Sequence, residues 1–229
     1  MGSLDLYPDN CKNSLRNYII KEQEGPTCYA NAIAGIICLA SERVHGRKQL
    51  DFYKIRDEII KDYGLPGGGG NTRSILLKSS LLSNYRLRSK EINASEAQNI
   101  LCQSNPRPIL ATFYLNENQW NAFGNFFSQN KNGILYPKDL KKYYDPKKTS
   151  TGGSHAVIIM EMKADPYLAN MWYYKIANSW GKTWGQDGYF KVSITSLIDI
   201  NFTFYDVFWY ESDLTQEERE QYKRDFPNA

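Results

Sequence analysis

The sequence predicts an α+β fold, with a helical N-terminal part followed by a strand-rich C-terminal part. Two observations predict it. Residues 28–40 are apolar on every face and residues 50–63 are apolar at helical spacing, and both patterns are typical of helices. From residue 107 onward, short runs rich in aromatic and β-branched residues alternate with turn residues, which predicts antiparallel strands.

These patterns divide the chain into three regions. Residues 1–104 form a helical lobe, with helices predicted at 28–40, 50–63 and 72–82 and a glycine-rich break at 66–70. Residues 105–212 form a β lobe, with strands predicted at 108–114, 156–162, 172–177, 188–194 and 204–210 and one helix near 117–127. Residues 213–229 form a charged helix and tail, in which Thr215 and Glu218 are spaced as a capping box.

Composition excludes several classes of function. The chain has 229 residues, 41% of them apolar, which is typical of a folded protein with a sizeable core. The charge is 28 − 25 = +3, too small to indicate nucleic-acid binding, and the lysine-rich residues 138–148 indicate a solvated loop. We expect no membrane span, because no apolar run approaches the ~20 residues required. The four cysteines form no Cys-x-x-Cys pair, so no metal or other cofactor is implied.

Cys28 is the candidate nucleophile. A cysteine attacks as its thiolate, which the partial positive charge of a helix N-terminus favours. Pro26 suits a helix start, Thr27 can cap it, and the apolar helix follows at once. The alternatives are half of a disulfide or a small buried side chain. Cys38, inside the apolar helix, fits the buried alternative better.

A thiol nucleophile needs a base, and the chain has two histidines. His45 lies in a charged stretch after the central helix and is predicted to be exposed and inert. His155 opens a predicted strand beside a glycine turn, so it is the plausible partner of Cys28. Asn178 ends the next strand, where its amide oxygen can orient the imidazole and Trp180 can cover their bond.

Acyl transfer also needs donors for the developing oxyanion. The backbone N–H of Cys28 is one candidate, and the side-chain amide of Gln23 is the second.

Three segments together resemble the papain-like cysteine peptidases: Gln23…Cys28-Tyr-Ala, Gly-Gly-Ser-His155-Ala-Val, and Asn178-Ser-Trp-Gly-Lys-Thr-Trp-Gly-Gln-Asp-Gly-Tyr. The resemblance covers roughly residues 12 to 210 and includes the order Gln, Cys, His, Asn. It implies a two-lobe fold, with a helical lobe, an antiparallel β-barrel-like lobe and the active-site cleft between them.

The resemblance also implies a role for each matching residue. Cys28 is then the nucleophile, His155 the general acid and base, Asn178 the orienting group, Gln23 an oxyanion donor and Trp180 the shield over the Asn–His bond. Gly69 and Gly70 occupy the place of a glycine pair that bonds the substrate main chain, although a plain flexible loop at 67–70 is the alternative. Gly153 and Ala156 flank the second subsite, where their small size indicates a roomy pocket.

The sequence departs from the family pattern at several positions. The spacing from Gln23 to Cys28 is one residue shorter than usual, Gly25 stands where the family has a disulfide cysteine, Tyr29 replaces the common Trp, and Ser154 replaces a frequent Asp. No signal peptide or inhibitory prosegment is recognisable. We therefore expect a divergent member, located inside cells or delivered into them, or else lysosomal or secreted if the sequence is truncated.

The predicted function is that of a thiol protease, a hydrolase that cleaves peptide bonds through a thioester acyl-enzyme. The expected partners of this predicted monomer are a peptide or protein substrate and a cystatin-like or propeptide-like inhibitor. Two alternatives remain at this point. One is a Cys-dependent transamidase, deamidase or acyltransferase, and the other is a catalytically silent papain-like binding module.

Overall fold

The computed structural model describes residues 18–103, 106–143, 151–195 and 200–225. The predictions that fall on residues 1–17, on Cys11 among them, lie outside the described residues, as do those on 144–150 and 226–229. No helix within the four described ranges is both long and apolar enough to cross a membrane.

The described residues form eight α-helices, numbered here in chain order: α1 (Cys28–Glu42), α2 (Phe52–Tyr63), α3 (Thr72–Lys78), α4 (Leu81–Asn84), α5 (Ala94–Cys102), α6 (Glu117–Gln129), α7 (Pro137–Lys141) and α8 (Gln216–Asp225). Seven strands accompany them: β1 (Arg88–Ile92), β2 (Ile109–Asn116), β3 (Ile134–Leu135), β4 (Gly152–Ala164), β5 (Trp172–Ala177), β6 (Tyr189–Ser193) and β7 (Thr203–Phe208). The α+β prediction is therefore confirmed.

Side-chain caps explain where several helices begin. Asp51 accepts hydrogen bonds from the backbone N–H groups of Tyr53 and Lys54, which starts α2. Both α5 and α6 begin with a capping box, because an N-cap asparagine and the side chain three residues later each bond the other's backbone N–H. The predicted capping box at Thr215 and Glu218 also forms, at the start of α8.

The strands form one open sheet in the order β1-β7-β2-β4-β5-β6-β3. All neighbouring strands are antiparallel except β3 and β6, which are parallel. The antiparallel barrel-like lobe is thus corrected to an open mixed sheet. The two edge strands of the sheet are β1 and the two-residue strand β3, which pairs with β6.

The sheet lies between two apolar cores, and the alternation along β4 shows how. Ala156, Ile158 and Met160 point into a core built around α1, whereas Val157 and Ile159 point into a second core with α5 and α6. Helix α1 is buried on nearly every face, as predicted. This packing brings the start of α1 against the start of β4.

Two details of the fold differ from the sequence predictions. Residues 88–92, assigned to the helical part, form β1 and pair with β7. The lysine-rich stretch predicted as a loop begins with the short helix α7. The boundaries of the lobes remain predictions, but the helical part contributes an edge strand to the sheet.

Candidate active site

Cys28 is the first residue of α1, as predicted. The turn before it contains Gly25 with φ of 62°, a conformation that favours glycine. Thr27 occupies the N-cap position, but its hydroxyl donates to the carbonyl of Glu24 at 2.9 Å and makes no cap bond to the helix. The predicted capping by Thr27 is therefore wrong, and the first-turn N–H groups stay directed at the Cys28 region.

Opposing influences act on the half-buried thiol of Cys28. Burial raises its pKa, because a low-dielectric surrounding disfavours the thiolate. Hydrogen bonding from the backbone N–H groups of Ala156, Tyr29 and Cys28 itself lowers it, without cancelling the rise. The contact with Ala156 matters for the site, because it places the sulfur beside the residue that follows His155.

His155 and Asn178 meet as predicted. His155 lies in β4, is 5% exposed, and its Nε2 is 2.7 Å from Oδ1 of Asn178. The same oxygen accepts from the backbone N–H of Ser179 at 2.9 Å, which identifies it as the amide oxygen. Nε2 must then carry the hydrogen, which leaves Nδ1 as the acceptor for a thiol proton.

Aromatic rings surround the imidazole of His155. Trp180 lies against it with centroids 5.0 Å apart and 32° between planes, which agrees with the predicted shield. Phe113 and Trp120 approach with centroids 5.7 and 5.9 Å away, both nearly perpendicular. Burial lowers the pKa of His155 from 6.5 to about 4, although the hydrogen bond that His155 donates to Asn178 acts in the opposite direction.

Trp120 was missed by the sequence analysis. Its indole Nε1 donates to the carbonyl of Gly153 at 3.1 Å, so it joins α6 to the strand that carries His155. Trp120 also lies near Trp180, with centroids 6.1 Å apart. No spacing pattern marks this residue, because its contact with His155 depends on how α6 packs on the sheet.

Gln23 is held beside the same turn. Its backbone N–H donates to the carbonyl of Ser179 at 2.7 Å, and its Oε1 accepts from the Ser179 hydroxyl at 2.6 Å. Its amide nitrogen donates to the carbonyl of Gly25 at 2.6 Å and has a second hydrogen for another acceptor. Donation to an oxyanion stays a prediction. Ser179, which the sequence did not single out, anchors both Gln23 and Asn178.

The glycine loop lies against the start of α1. A Cβ on Gly70 would be 2.4 Å from the ring of Tyr29, and one on Gly68 would be 2.3 Å from Pro26. Gly69 has φ of 80° and faces open space. The loop therefore packs on Pro26 and Tyr29, on either side of Cys28 in the sequence, whereas Gly67 and Gly69 face open space.

The remaining predicted positions divide into two groups. Ala156 is 3% exposed and packs in the core, while Gly153 is half-buried and its carbonyl is taken by Trp120. A roomy second subsite at these two residues stays a prediction. His45 is half-buried, with Nδ1 2.6 Å from Oδ2 of Asp225, so its predicted exposure is wrong. It lies beyond the far end of α1 from Cys28, too distant to act there.

Metal chemistry has no candidate site in the part of the chain that the structure describes, because no group of three His, Cys, Asp or Glu side chains could hold an ion there. The described site brings together a thiol, an imidazole and an amide, with aromatic rings around the imidazole.

Three comparisons with known proteins bear on this arrangement. Residues 110–202, which carry His155 and Asn178, match the family model of papain family cysteine proteases. The papain-family resemblance is confirmed. The papain-like chain is also 42% identical over 52 residues to procathepsin L of the cat, Felis catus. That match covers 22% of this chain and spans only 16% of the length of procathepsin L.

Solved structures support the same fold. Procathepsin B S9 from Trypanosoma congolense superposes with a TM-score of 0.55 at 16% identity, over 87% of this chain and 73% of that one. A structure from work on the mite allergens Blo t 1 and Der p 1 gives 0.52 at 17% identity, over 91% of this chain and 72% of that one. At such identities the likeness concerns the fold, which is papain-like.

Proposed function

We propose that this papain-like chain is a cysteine peptidase that hydrolyses peptide bonds through a thioester formed on Cys28. The observation that carries the proposal is the 2.7 Å contact between His155 Nε2 and Asn178 Oδ1, made beside a cysteine at a helix N-terminus. The family match over residues 110–202 supports the same reading.

In the proposed acylation step, Nδ1 of His155 takes the proton of the Cys28 thiol. The sulfur uses an electron pair to form a bond to the carbonyl carbon of the scissile peptide, and the π pair of the C=O bond moves onto the carbonyl oxygen. His155 then gives its proton to the leaving amine as the C–N bond breaks, which leaves a thioester. Water, deprotonated by the same imidazole, hydrolyses the thioester and regenerates the thiol.

The surroundings of Cys28 and His155 suit the charges that form on them during this reaction. Burial opposes isolated charge on Cys28 and on His155, so charge develops there only as a pair. Asn178 Oδ1 accepts from the imidazole and stabilises its protonated form. Trp120 and Trp180 keep water from that bond, which strengthens it.

We further propose an extended peptide as the substrate. Gly69 faces open space beside the start of α1, and Gly70 packs on Tyr29, so a peptide can approach this backbone closely. A propeptide-like segment is the natural inhibitor in this scheme, and one of the superposed structures is a procathepsin.

The test combines turnover with labelling. The protein is incubated with a pool of fluorogenic peptides and, separately, with an epoxide inhibitor of papain-class enzymes, and the modified residue is mapped by mass spectrometry. We expect cleavage, single labelling at Cys28, and loss of both in Cys28→Ala. The matched control is Cys102→Ala, because Cys102 is an exposed free thiol.

Three outcomes would overturn the proposal. Folded protein that neither cleaves a peptide nor reacts with the epoxide would indicate a binding module. Labelling at Cys38 or Cys102 in preference to Cys28 would remove the nucleophile assignment. Products in which the acyl group moves to an added amine in preference to water would indicate a transferase.

A further inference from the structure

A small pocket lies behind the site, between α1 and the ends of β4 and β5. Its volume is about 10 Å³, roughly the space that one water molecule needs. Two asparagines line it, Asn31 on α1 and Asn178 directly after β5. Asn31 is one turn along the helix from Cys28, so the pocket touches both halves of the site.

Each asparagine leaves one buried polar atom without a hydrogen-bond partner among the described residues. These atoms are Oδ1 of Asn31 and Nδ2 of Asn178, on side chains that are 2% and 4% exposed. One is an acceptor and the other a donor. Buried polar atoms in folded proteins almost always have partners, often ordered waters.

The other bonds of the two amides fix which atom faces the pocket. Nδ2 of Asn31 donates to the carbonyl of Thr27 at 2.9 Å, so a flipped amide would place oxygen against oxygen. Oδ1 of Asn178 accepts from both His155 and Ser179, so its Nδ2 must point away from them. The two unpartnered atoms are therefore set by their neighbours.

We propose that this pocket binds one ordered water that accepts a hydrogen bond from Asn178 Nδ2 and donates one to Asn31 Oδ1. Asn31 then becomes a positioning residue for the proposed peptidase reaction, on which this role rests. The chain of contacts runs from Thr27 through Asn31 and the water to Asn178, and from there to His155.

The role explains a polar residue in an apolar helix. Asn31 is the polar residue within the run from Ala30 to Ala40, and α1 is buried on nearly every face there. With the water bound, a flip of the Asn178 amide would break three hydrogen bonds at once, those with His155, Ser179 and the water, so Oδ1 stays on His155 Nε2. The imidazole thereby keeps its hydrogen on Nε2 and leaves Nδ1 as the acceptor for the thiol proton.

The binding site is tested by crystallography of the inhibitor-labelled full chain at about 1.5 Å resolution. We expect a density peak within hydrogen-bonding distance, roughly 2.7–3.2 Å, of both Asn31 Oδ1 and Asn178 Nδ2. A pocket without density, or a water that contacts neither atom, would overturn the proposal. This measurement needs no turnover, so its result does not depend on the peptidase assignment. Crystals of the unlabelled full chain test the water site equally well.

The positioning role is tested with Asn31→Leu, which has nearly the same size and no acceptor. We expect kcat to fall about 10-fold or more with KM within about twofold, because the imidazole loses its fixed orientation. The acidic limb of the pH profile of kcat/KM, which reports protonation of the base His155, should move to lower pH. The direction follows because a weaker hydrogen bond to Asn178 stabilises the imidazolium less, so the pKa of His155 falls further.

Two further variants make the result decisive. Asn31→Ser keeps a hydroxyl that can donate to the Thr27 carbonyl and accept from the water, so it should retain more of kcat than Asn31→Leu. Ile36→Val perturbs the same buried helix away from the pocket and should change neither parameter. Tyr18 and Lys21 are the titratable groups among the residues that line the pocket, and none of these variants alters them. A folded Asn31→Leu with unchanged kcat and pH profile would overturn the role. If that variant fails to fold, a folded Asn31→Ser whose kcat falls as far as that expected of Asn31→Leu would do so.

Discussion

The indole of Trp180 lies 5.0 Å from the imidazole of His155, centroid to centroid, with the two planes inclined by 32°. This contact and two perpendicular rings exclude water from the one base in the site. The consequence is a histidine whose pKa falls to about 4 in the folded chain. A base buried in this way affects both the stability of the fold and the chemistry.

Stability should rise with pH across the titration of His155. Its pKa is lower in the folded state, about 4, than the ordinary 6.5. Between these values the unfolded chain binds more protons, so the free energy of unfolding rises with pH and is fully regained above about 6.5. The gain is on the order of 3 kcal/mol.

The measurement is urea unfolding from pH 4 to 7, in a Cys28→Ala background that prevents self-cleavage. The difference in unfolding free energy between the parent and His155→Gln should grow in the parent's favour as pH rises. Carboxylates titrate in both chains, so the difference isolates His155. His45→Gln, which removes the other histidine, should keep this rise. A difference that is flat across the window would contradict the burial of His155.

Removing one of the aromatic rings around His155 should return the pKa of its imidazole toward the ordinary value. Trp120→Ala removes the ring that flanks His155 and donates to Gly153. Water then reaches the imidazole, so its pKa should rise from about 4 toward 6.5. The chain has two histidines, and their proton NMR signals can be followed separately. Trp172→Ala, at a tryptophan that is 39% exposed, is the matched control and should leave the His155 titration unchanged.

Substitutions of Trp120 should also lower catalytic activity. Trp120→Phe loses only the hydrogen bond to Gly153, worth about 1 kcal/mol, so kcat/KM should fall about fivefold if the whole loss is felt in the transition state. Trp120→Ala should lose roughly 10²-fold, because the imidazole is also misplaced. Equal activity in all three chains would show that Trp120 does not position His155.

Part of this site was predictable from the sequence. Cys28 stands at a recognisable helix start, and His155 and Asn178 stand at the ends of predicted strands, where side chains from different elements can meet. Trp120 and Asn31 were not predictable as site residues. Their contacts depend on how α6 packs on the sheet and on which face of α1 meets β5, and neither relation is encoded in local spacing.

The fold shows the same division between local and tertiary signals. The long apolar helix α1 and the five aromatic-rich strands were predicted because their periodicity is strong. Strand β1, with the sequence RSKEI, was missed because only one of its residues is buried at the edge of the sheet. The predicted helix at 72–82 is two helices, because the hydroxyl of Ser79 donates to the carbonyl of Ile75 and accepts from the N–H of Leu81.

The C-terminal helix should depend on one buried carboxylate. Glu218 is 4% exposed and accepts hydrogen bonds from Arg47 at 2.8 Å and from Arg86 at 2.5 Å. Burial alone would raise its pKa, but bonds from Arg47, from the Thr215 N–H and from Arg86 outweigh burial and lower it to about 2. Glu218→Gln leaves Arg47 buried without its counter-charge and should cost about 3–5 kcal/mol of unfolding free energy.

Equilibrium urea unfolding at pH 7 measures this cost. The matched control is Glu217→Gln, one residue earlier and exposed, which should change stability by less than about 0.5 kcal/mol. A Glu218→Gln chain within about 1 kcal/mol of the parent would show that α8 is held by its apolar contacts instead.

The fit of the glycine loop on the nucleophile helix should be sensitive to a single methyl group. In Gly70→Ala the new Cβ would lie 2.4 Å from the ring of Tyr29, and overpacking of this kind costs about 1–3 kcal/mol. Because the clash is with one side chain, Tyr29→Ala should make the Gly70→Ala change nearly neutral. A double-mutant cycle of unfolding free energies measures that coupling. Gly124→Ala, in α6 with open space at its Cβ, should instead stabilise by about 0.5–1 kcal/mol. A Gly70→Ala cost that persists without the Tyr29 ring would locate the strain in the loop backbone and contradict the packing argument.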